Sequence, residues 1–312
     1  MSEKQRKKQA KRAARRDAGR HKQAVRLPRD AQGRAHLIVH RDPQGGGERL
    51  SLARPLFTEA WQNEVVLGAA GTAHALLADG HTVAQAEKLG RTAMAGTSKI
   101  AEGLLAASAD RPPACGAGCS HCCYQAMGLT APEALAIYDH LRATRSPSAF
   151  EAIALRIRAA DDETRGMTSD ERLSPNLPCP FLEGERCSIY EARPLSCRGT
   201  NSLDAAACAR ALRDPEAHAA FLAGDLSFPC YLEPIRAFHA VTAGMQLAVH
   251  ELHGLQMLPL ELTAAMRLLL DDPEALPQRW LAGEDAFAEA RGGDVTGDAK
   301  IRALAGTTTD AV

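Results

Sequence analysis

Between Thr58 and about Ala78 the apolar residues Trp61, Val65, Ala69, Ala73 and Leu76 recur in steps of three and four, and Val83 to about Ala107 repeats the pattern. Each stretch predicts a helix with one buried face, and the short link between them predicts that the two pack together. Arg111-Pro112-Pro113 then stops the second helix, because proline disfavours helix in the residue before it and donates no backbone hydrogen bond. A third helix is expected from Thr130 to about Arg145, with Glu133 three residues after Thr130 as a capping box and Leu135, Tyr138 and Leu141 on one face. A fourth is expected over Ser148 to about Arg165, and shorter ones near 203–212 and 215–223. Ile235, Phe238, Val241, Met245, Val249 and Leu252 mark a long helix, followed by Leu260 to Leu270 and two shorter helical pieces. Strand signals are sparse: His36 to His40 and Arg49 to Leu52, separated by Gly45-Gly46-Gly47, predict a small hairpin.

Composition points the same way. Only 4% of the residues are aromatic while 45% are hydrophobic, a balance rich in Ala and Leu that favours helix and supplies a core. The expected fold class is mainly α, with a helical domain around an irregular cysteine-rich segment and a short β-hairpin.

Charge divides the chain. The net charge is -1, yet residues 1–29 hold twelve Lys and Arg against only Glu3 and Asp17, leaving the remainder acidic. Four segments follow: a basic flexible arm over 1–34, a hairpin with two helices over 35–110, a metal-binding domain with C-terminal helices over 111–290, and a flexible tail over 291–312. No apolar run follows the basic start and none reaches about eighteen residues, so neither a signal peptide nor a membrane span is expected. The expected location is the cytoplasm. There, nine cysteines point to metal or redox chemistry rather than to disulfides, and their odd number would leave one unpaired in any case.

The cysteines are clustered. Cys115, Cys119, Cys122 and Cys123 fall within nine residues, with Gly116 and Gly118 giving the backbone freedom to curl around an ion. Adjacent side chains leave the backbone in different directions, so Cys122 and Cys123 are expected to serve different metals or a bridged pair. A second stretch carries Cys179, Cys187 and Cys197. Phe181-Leu182 and Ser188 to Tyr190 suit two short strands around the turn Glu183-Gly184-Glu185, which would bring Cys179 and Cys187 together. Arg193 and Arg198 stand where they could neutralise excess thiolate charge from beside the ligands.

The first loop, followed by Cys179-Pro-Phe-Leu, Cys187-Ser-Ile-Tyr, Arg193-Pro and Cys197-Arg198, resembles the zinc- or iron-chelating cysteine-cluster family, the YkgJ-type or CxxCxxCC proteins. The resemblance covers roughly Cys115 to Arg198. It implies a metal-binding domain with Cys115, Cys119, Cys122, Cys123, Cys179, Cys187 and Cys197 as candidate ligands for zinc or iron, as one or two ions or an iron–sulfur cluster. Flagellin lysine methylases carry a similar cluster, which brings S-adenosylmethionine-dependent methyl transfer or iron–sulfur redox chemistry in as an alternative activity.

Other readings compete. Cys115-x3-Cys119-x2-Cys122 has the spacing of the radical S-adenosylmethionine signature, but the loop follows helices rather than a strand, His121 precedes Cys122, and no βα repeat follows. The basic arm suggests a nucleic-acid or acidic partner for residues 1–29, with the metal only bracing the fold. His121 is a further candidate ligand, whereas His239, His250 and His253 read as helix packing and Tyr190 as a hairpin packing residue. Cys208 and Cys230, on or beside helices, are equally well explained as small buried hydrophobes. No Ser-His-Asp pattern, phosphate-binding glycine loop or paired carboxylates stand out.

Overall fold

In α1 (Ala60–Leu77) the buried face is Gln62, Val66, Ala70, Ala73 and Leu77, one residue on from Trp61, Val65, Ala69 and Leu76, which the spacing singled out and which are half-buried beside it. The computed structural model describes residues 36–41, 48–116, 118–167, 171, 177–217, 220 and 229–291. The basic arm, the C-terminal tail from 292 and most of the helix expected over 215–223 lie outside the described residues. Residues 1–34 and 35–312 are separate units, and the architecture below is that of the second.

A hairpin opens it. β1 (Leu37–Arg41) pairs antiparallel with β2 (Glu48–Leu52), Val39 opposite Leu50. Asn63 then fixes the entry to α1: its amide oxygen accepts from the backbone N–H of Leu56 at 2.8 Å and its amide nitrogen donates to the Phe57 carbonyl at 2.7 Å. α2 (Val83–Ser108) starts at a capping box between Thr82 and Gln85. It ends three residues before Arg111-Pro112, as the proline pair requires.

The helices that follow also match the pattern. α3 (Ala131–Thr144) has the Thr130–Glu133 capping box, and α4 (Pro147–Thr164) is capped by Ser146 with Pro147 in its first turn, where a missing N–H costs nothing. Further on come α5 (Leu195–Gly199), α6 (Ala205–Arg213), α7 (Leu232–Leu247), α8 (Leu262–Asp271) and α9 (Ala275–Leu281). The long periodic stretch ending at Leu252 changes winding after Leu247: Ala248–Leu252 is a π turn, closed by Gly254 at φ 68°. Apolar spacing does not report such a change.

α7 lies along α1 and against α2, while α2 packs on α3 and α8 on α3 and α4. Two glycines permit the closest approaches. A Cβ on Gly244 of α7 would stand 2.3 Å from the Val66 carbonyl oxygen, and one on Gly90 of α2 would stand 2.1 Å from that of Pro132. The core these helices enclose includes Leu89, Ile137, Leu141, Ile157, Met245 and Trp280, whose indole N–H donates to the Gln256 carbonyl at 2.7 Å. Long-range pairing joins distant segments: β3 (Gly128–Leu129) bonds to β6 (Leu260–Glu261), and the Leu262 N–H donates to the Met127 carbonyl. The result is a mainly helical domain on which the cysteine segments are mounted.

Candidate metal centre

The first cysteine loop leaves α2 and runs to a short 3-10 turn, His121–Tyr124, which carries Cys122 and Cys123. Gly118 takes φ 91°, the conformation for which a residue without Cβ is suited, and the Cys119 N–H closes onto the Gly116 carbonyl at 3.0 Å. The loop start is anchored far along the chain. Ala114 N–H donates to the Ser202 carbonyl at 2.7 Å, and the Ser202 N–H points at the Cys115 sulfur at 3.3 Å.

The second segment is held by hydrogen bonds from α4, from the end of α3 and from the first loop. Arg156 on α4 donates to the Pro180 carbonyl at 2.8 Å, Arg145 donates to that of Ser188, and the Ser120 hydroxyl donates to the Glu185 carboxylate. β4 (Leu182–Glu183) and β5 (Arg186–Cys187) form the hairpin. It is shorter than the sequence suggests, because Gly184 and Glu185 both adopt positive φ and close a two-residue turn. Leu182 therefore stands opposite Cys187, and Cys179 lies before the ladder. The second strand expected over Ser188 to Tyr190 is not formed: β5 ends at Cys187, and Tyr190 begins a 3-10 turn and is 55% exposed, with Arg193 4.2 Å over its ring. Cys197 rides on α5, whose first N–H, that of Leu195, is met by the buried Glu133 carboxylate. Its Oε1 accepts from Leu195 N–H at 2.8 Å while Oε2 accepts from Thr130. Burial pushes the Glu133 carboxyl up to about 7 despite these donors.

The thiols share one neighbourhood, and Cys122 is its hub. Cys123 hydrogen-bonds it and lowers its pKa to about 7, while Cys123 itself is pushed far up by holding that proton and by burial. The Cys179 N–H donates to the Cys123 carbonyl at 2.6 Å, joining the two segments directly. Burial, followed by the proximity of Cys122, Cys179 and Cys187, raises Cys197, and burial likewise raises Cys115 and Cys187. Among the described residues no three His, Cys, Asp or Glu side chains stand in ligand geometry around a single point. What the fold supplies is gathered soft donors and a cation.

The two arginines differ. Arg193 favours thiolate at Cys115, Cys122, Cys187 and Cys197, and its Nε is buried without a partner. Arg198 instead ties backbone together, donating to the carbonyls of Arg193 at 2.9 Å and Glu191 at 2.5 Å and to the Ser98 hydroxyl at 2.6 Å. His121 is half-buried in the loop, with Nδ1 enclosed and unpartnered.

Cys208, which the sequence left between core and site, joins the cluster. It is 5% exposed on α6, packed with Ala211, Leu212 and Cys122. Burial pushes its thiol up to about 12, helped by nearby Cys122, Cys115 and Cys119. The signal was present in the ten residues that separate Cys208 from Cys197, a link short enough to return a thiol to the same place. Cys230 behaves otherwise: burial raises it, and the charge beside it is Glu233.

Gathered thiols and a buried orphan imidazole nitrogen, with a guanidinium beside them to offset negative charge, suit a soft or borderline ion. The fold is a helical domain that carries a cluster of thiols. Residues 114–215 match the family described as CxxCxxCC, "Putative zinc- or iron-chelating domain", over about a third of the chain. That match bears out the resemblance and extends it from Arg198 through α6 and Cys208. No curated protein and no solved structure matches the chain. No helix among the described residues is long and apolar enough to cross a membrane.

Proposed function

We propose that this protein holds zinc or iron through Cys115, Cys119, Cys122, Cys123, Cys179, Cys187 and Cys197, and that the metal braces the cysteine segments onto the helical core. The observation that carries this reading is the joining of the two cysteine segments by the hydrogen bond from the Cys179 N–H to the Cys123 carbonyl at 2.6 Å. Their backbone is held mostly by long side chains and isolated hydrogen bonds rather than by ladders, so a metal would supply the missing cross-links. Bound metal selects the thiolate form and adds its binding free energy to folding. Arg193 would offset the surplus negative charge, while Arg198 would keep the Arg193 backbone in place. Thiolate-only coordination suits a structural ion, and the same donors also suit an iron–sulfur cluster.

Anaerobic purification of the untagged protein, followed by elemental analysis for zinc, iron and acid-labile sulfide, tests the proposal. We expect stoichiometric metal whose removal by a chelator lowers the melting temperature. Stoichiometric zinc in a colourless protein would support the bracing role. Iron with sulfide and broad visible absorption would move the function to redox or S-adenosylmethionine chemistry. A fully folded protein free of both metals would overturn it.

A further inference from the structure

Away from the cysteines, three imidazoles stand in a row. His253, the residue after the π turn, places its Nε2 3.1 Å from Nδ1 of His74 on α1 and its Nδ1 3.1 Å from Nε2 of His81, in the turn before α2. The ring centroids are 5.2 Å apart in both pairs. At one end His74 Nε2 lies 2.6 Å from the Glu48 carboxylate of β2, whose other oxygen accepts from Arg41 at 2.8 Å. At the other end His81 is exposed and has no further partner among the described residues.

The carboxylate sets the direction of this row. A neutral imidazole has one donor and one acceptor nitrogen, whereas an imidazolium has two donors. Hydrogen bonds from His74 and Arg41 hold the Glu48 carboxyl below its usual range, so at neutral pH it is ionised and only accepts. His74 therefore donates from Nε2 and accepts at Nδ1, His253 does the same, and His81 donates from Nε2. Three neutral rings satisfy every contact.

One added proton changes little, because each ring can take it while its neighbours exchange donor and acceptor nitrogens. A second proton cannot be accommodated. Wherever the two charges sit, two N–H groups face each other across one of the contacts. Burial and both neighbours depress His253 to about 4, so the charges fall on His74 and His81. Glu48 holds the first of these, and the exposed His81 is the one free to leave.

Other charged groups nearby are engaged elsewhere or make no bond to the rings. In the π turn, Glu251 accepts from His36 Nδ1 at 2.8 Å and from the Leu37 N–H at 3.0 Å, and His250 Nδ1 donates to the Leu255 carbonyl at 3.4 Å. Arg49 of β2 lines the same groove as His74, Asp79 shares the turn with His81, and the first turn of α2 carries no acidic residue.

We infer that this row is an acid-released latch, in which the second proton parts His81 from His253 and frees the turn between α1 and α2 from the end of the π turn. The turn has the freedom to move: it is exposed, and Gly80 takes φ 123° within it.

Hydrogen exchange of the full-length protein, read by mass spectrometry over residues 78–82 near neutral pH and in mild acid, tests the latch, with rates corrected for the intrinsic pH dependence of exchange. In wild type the corrected rate should rise about tenfold or more in acid while α3 stays protected. His81→Gln, which can donate to His253 but takes up no proton, should show no such rise. Any metal lost in acid is lost from both proteins, so the difference between them reads the latch. A flat wild-type profile, or an equal rise in His81→Gln, would overturn the inference. Long-range proton–nitrogen spectra of the wild type near neutral pH cover the case in which the variant does not fold. All three rings should carry their proton on Nε2, and a proton on Nδ1 of His253 would break the order that Glu48 sets and sink the latch with it.

Discussion

Glu133 is the clearest case of one side chain serving two levels of structure. It closes the capping box of α3 and, through Leu195, starts the helix that carries Cys197. Its carboxyl titrates near 7 because it is buried, well above the usual 4.5. A raised carboxyl pKa means that the folded state holds the proton more tightly than the unfolded chain. Its contribution is therefore full below about pH 4.5 and lost as pH rises to about 7, by something on the order of 3 kcal/mol. Glu133→Gln, compared with wild type as apoprotein in urea melts across that window, should remove this slope; an unchanged slope would show that the carboxyl does not titrate there. For Arg193 the expectation concerns affinity. Arg193→Leu should weaken zinc binding about tenfold or more, read by competition with a chromophoric chelator, whereas Arg193→Lys should keep part of it. Equal affinities would remove Arg193 from the site.

Between elements, stability depends on close approach and on a chain of imidazoles. Gly244→Ala would drive a methyl into the Val66 carbonyl at 2.3 Å and the Ala69 side chain at 2.8 Å, and should cost about 1–3 kcal/mol in a thermal or denaturant melt. Gly103→Ala on α2, with nothing within 4 Å, should instead stabilise by about 0.5–1 kcal/mol. On another face, His253 bonds both His74 and His81 at 3.1 Å, and His74 bonds the Glu48 carboxylate of β2 at 2.6 Å. This run links the hairpin, α1, the turn before α2 and the residue after the π turn. Burial and the two neighbouring imidazoles depress His253 to about 4. A depressed histidine contributes stability above about pH 6.5 that is lost as pH falls toward 4. His253→Gln should be less stable than wild type at pH 7 and show a shallower loss over that range, measured by melts at stepped pH. An identical pH profile would rule the imidazole chain out as a stabilising contact.

At the scale of the molecule, charge is segregated: the twelve cations of residues 1–29 precede an acidic remainder that contains every cysteine. Deleting residues 1–29 should leave zinc stoichiometry and melting temperature unchanged while abolishing any salt-dependent binding to nucleic acid, followed by fluorescence anisotropy over a salt series. Loss of metal on deletion would show that the arm helps to build the site.

The sequence by itself determined the helices, since a buried face repeats every three to four residues and proline or a capping box marks its ends. α1 through α4 match it to within a few residues. It also determined the chemistry, because thiols crowded into loops beside glycines have few uses besides metal. Only the tertiary structure decided which thiols meet. Cys187 faces Leu182 because Gly184 and Glu185 close a tighter turn than strand propensity indicates. Cys208 reaches Cys122 because α6 folds back onto the 3-10 turn, and the π turn and the imidazole chain likewise arise from contacts between distant segments. Local spacing encodes what a segment of backbone prefers; proximity across a hundred residues is set by how the helices pack.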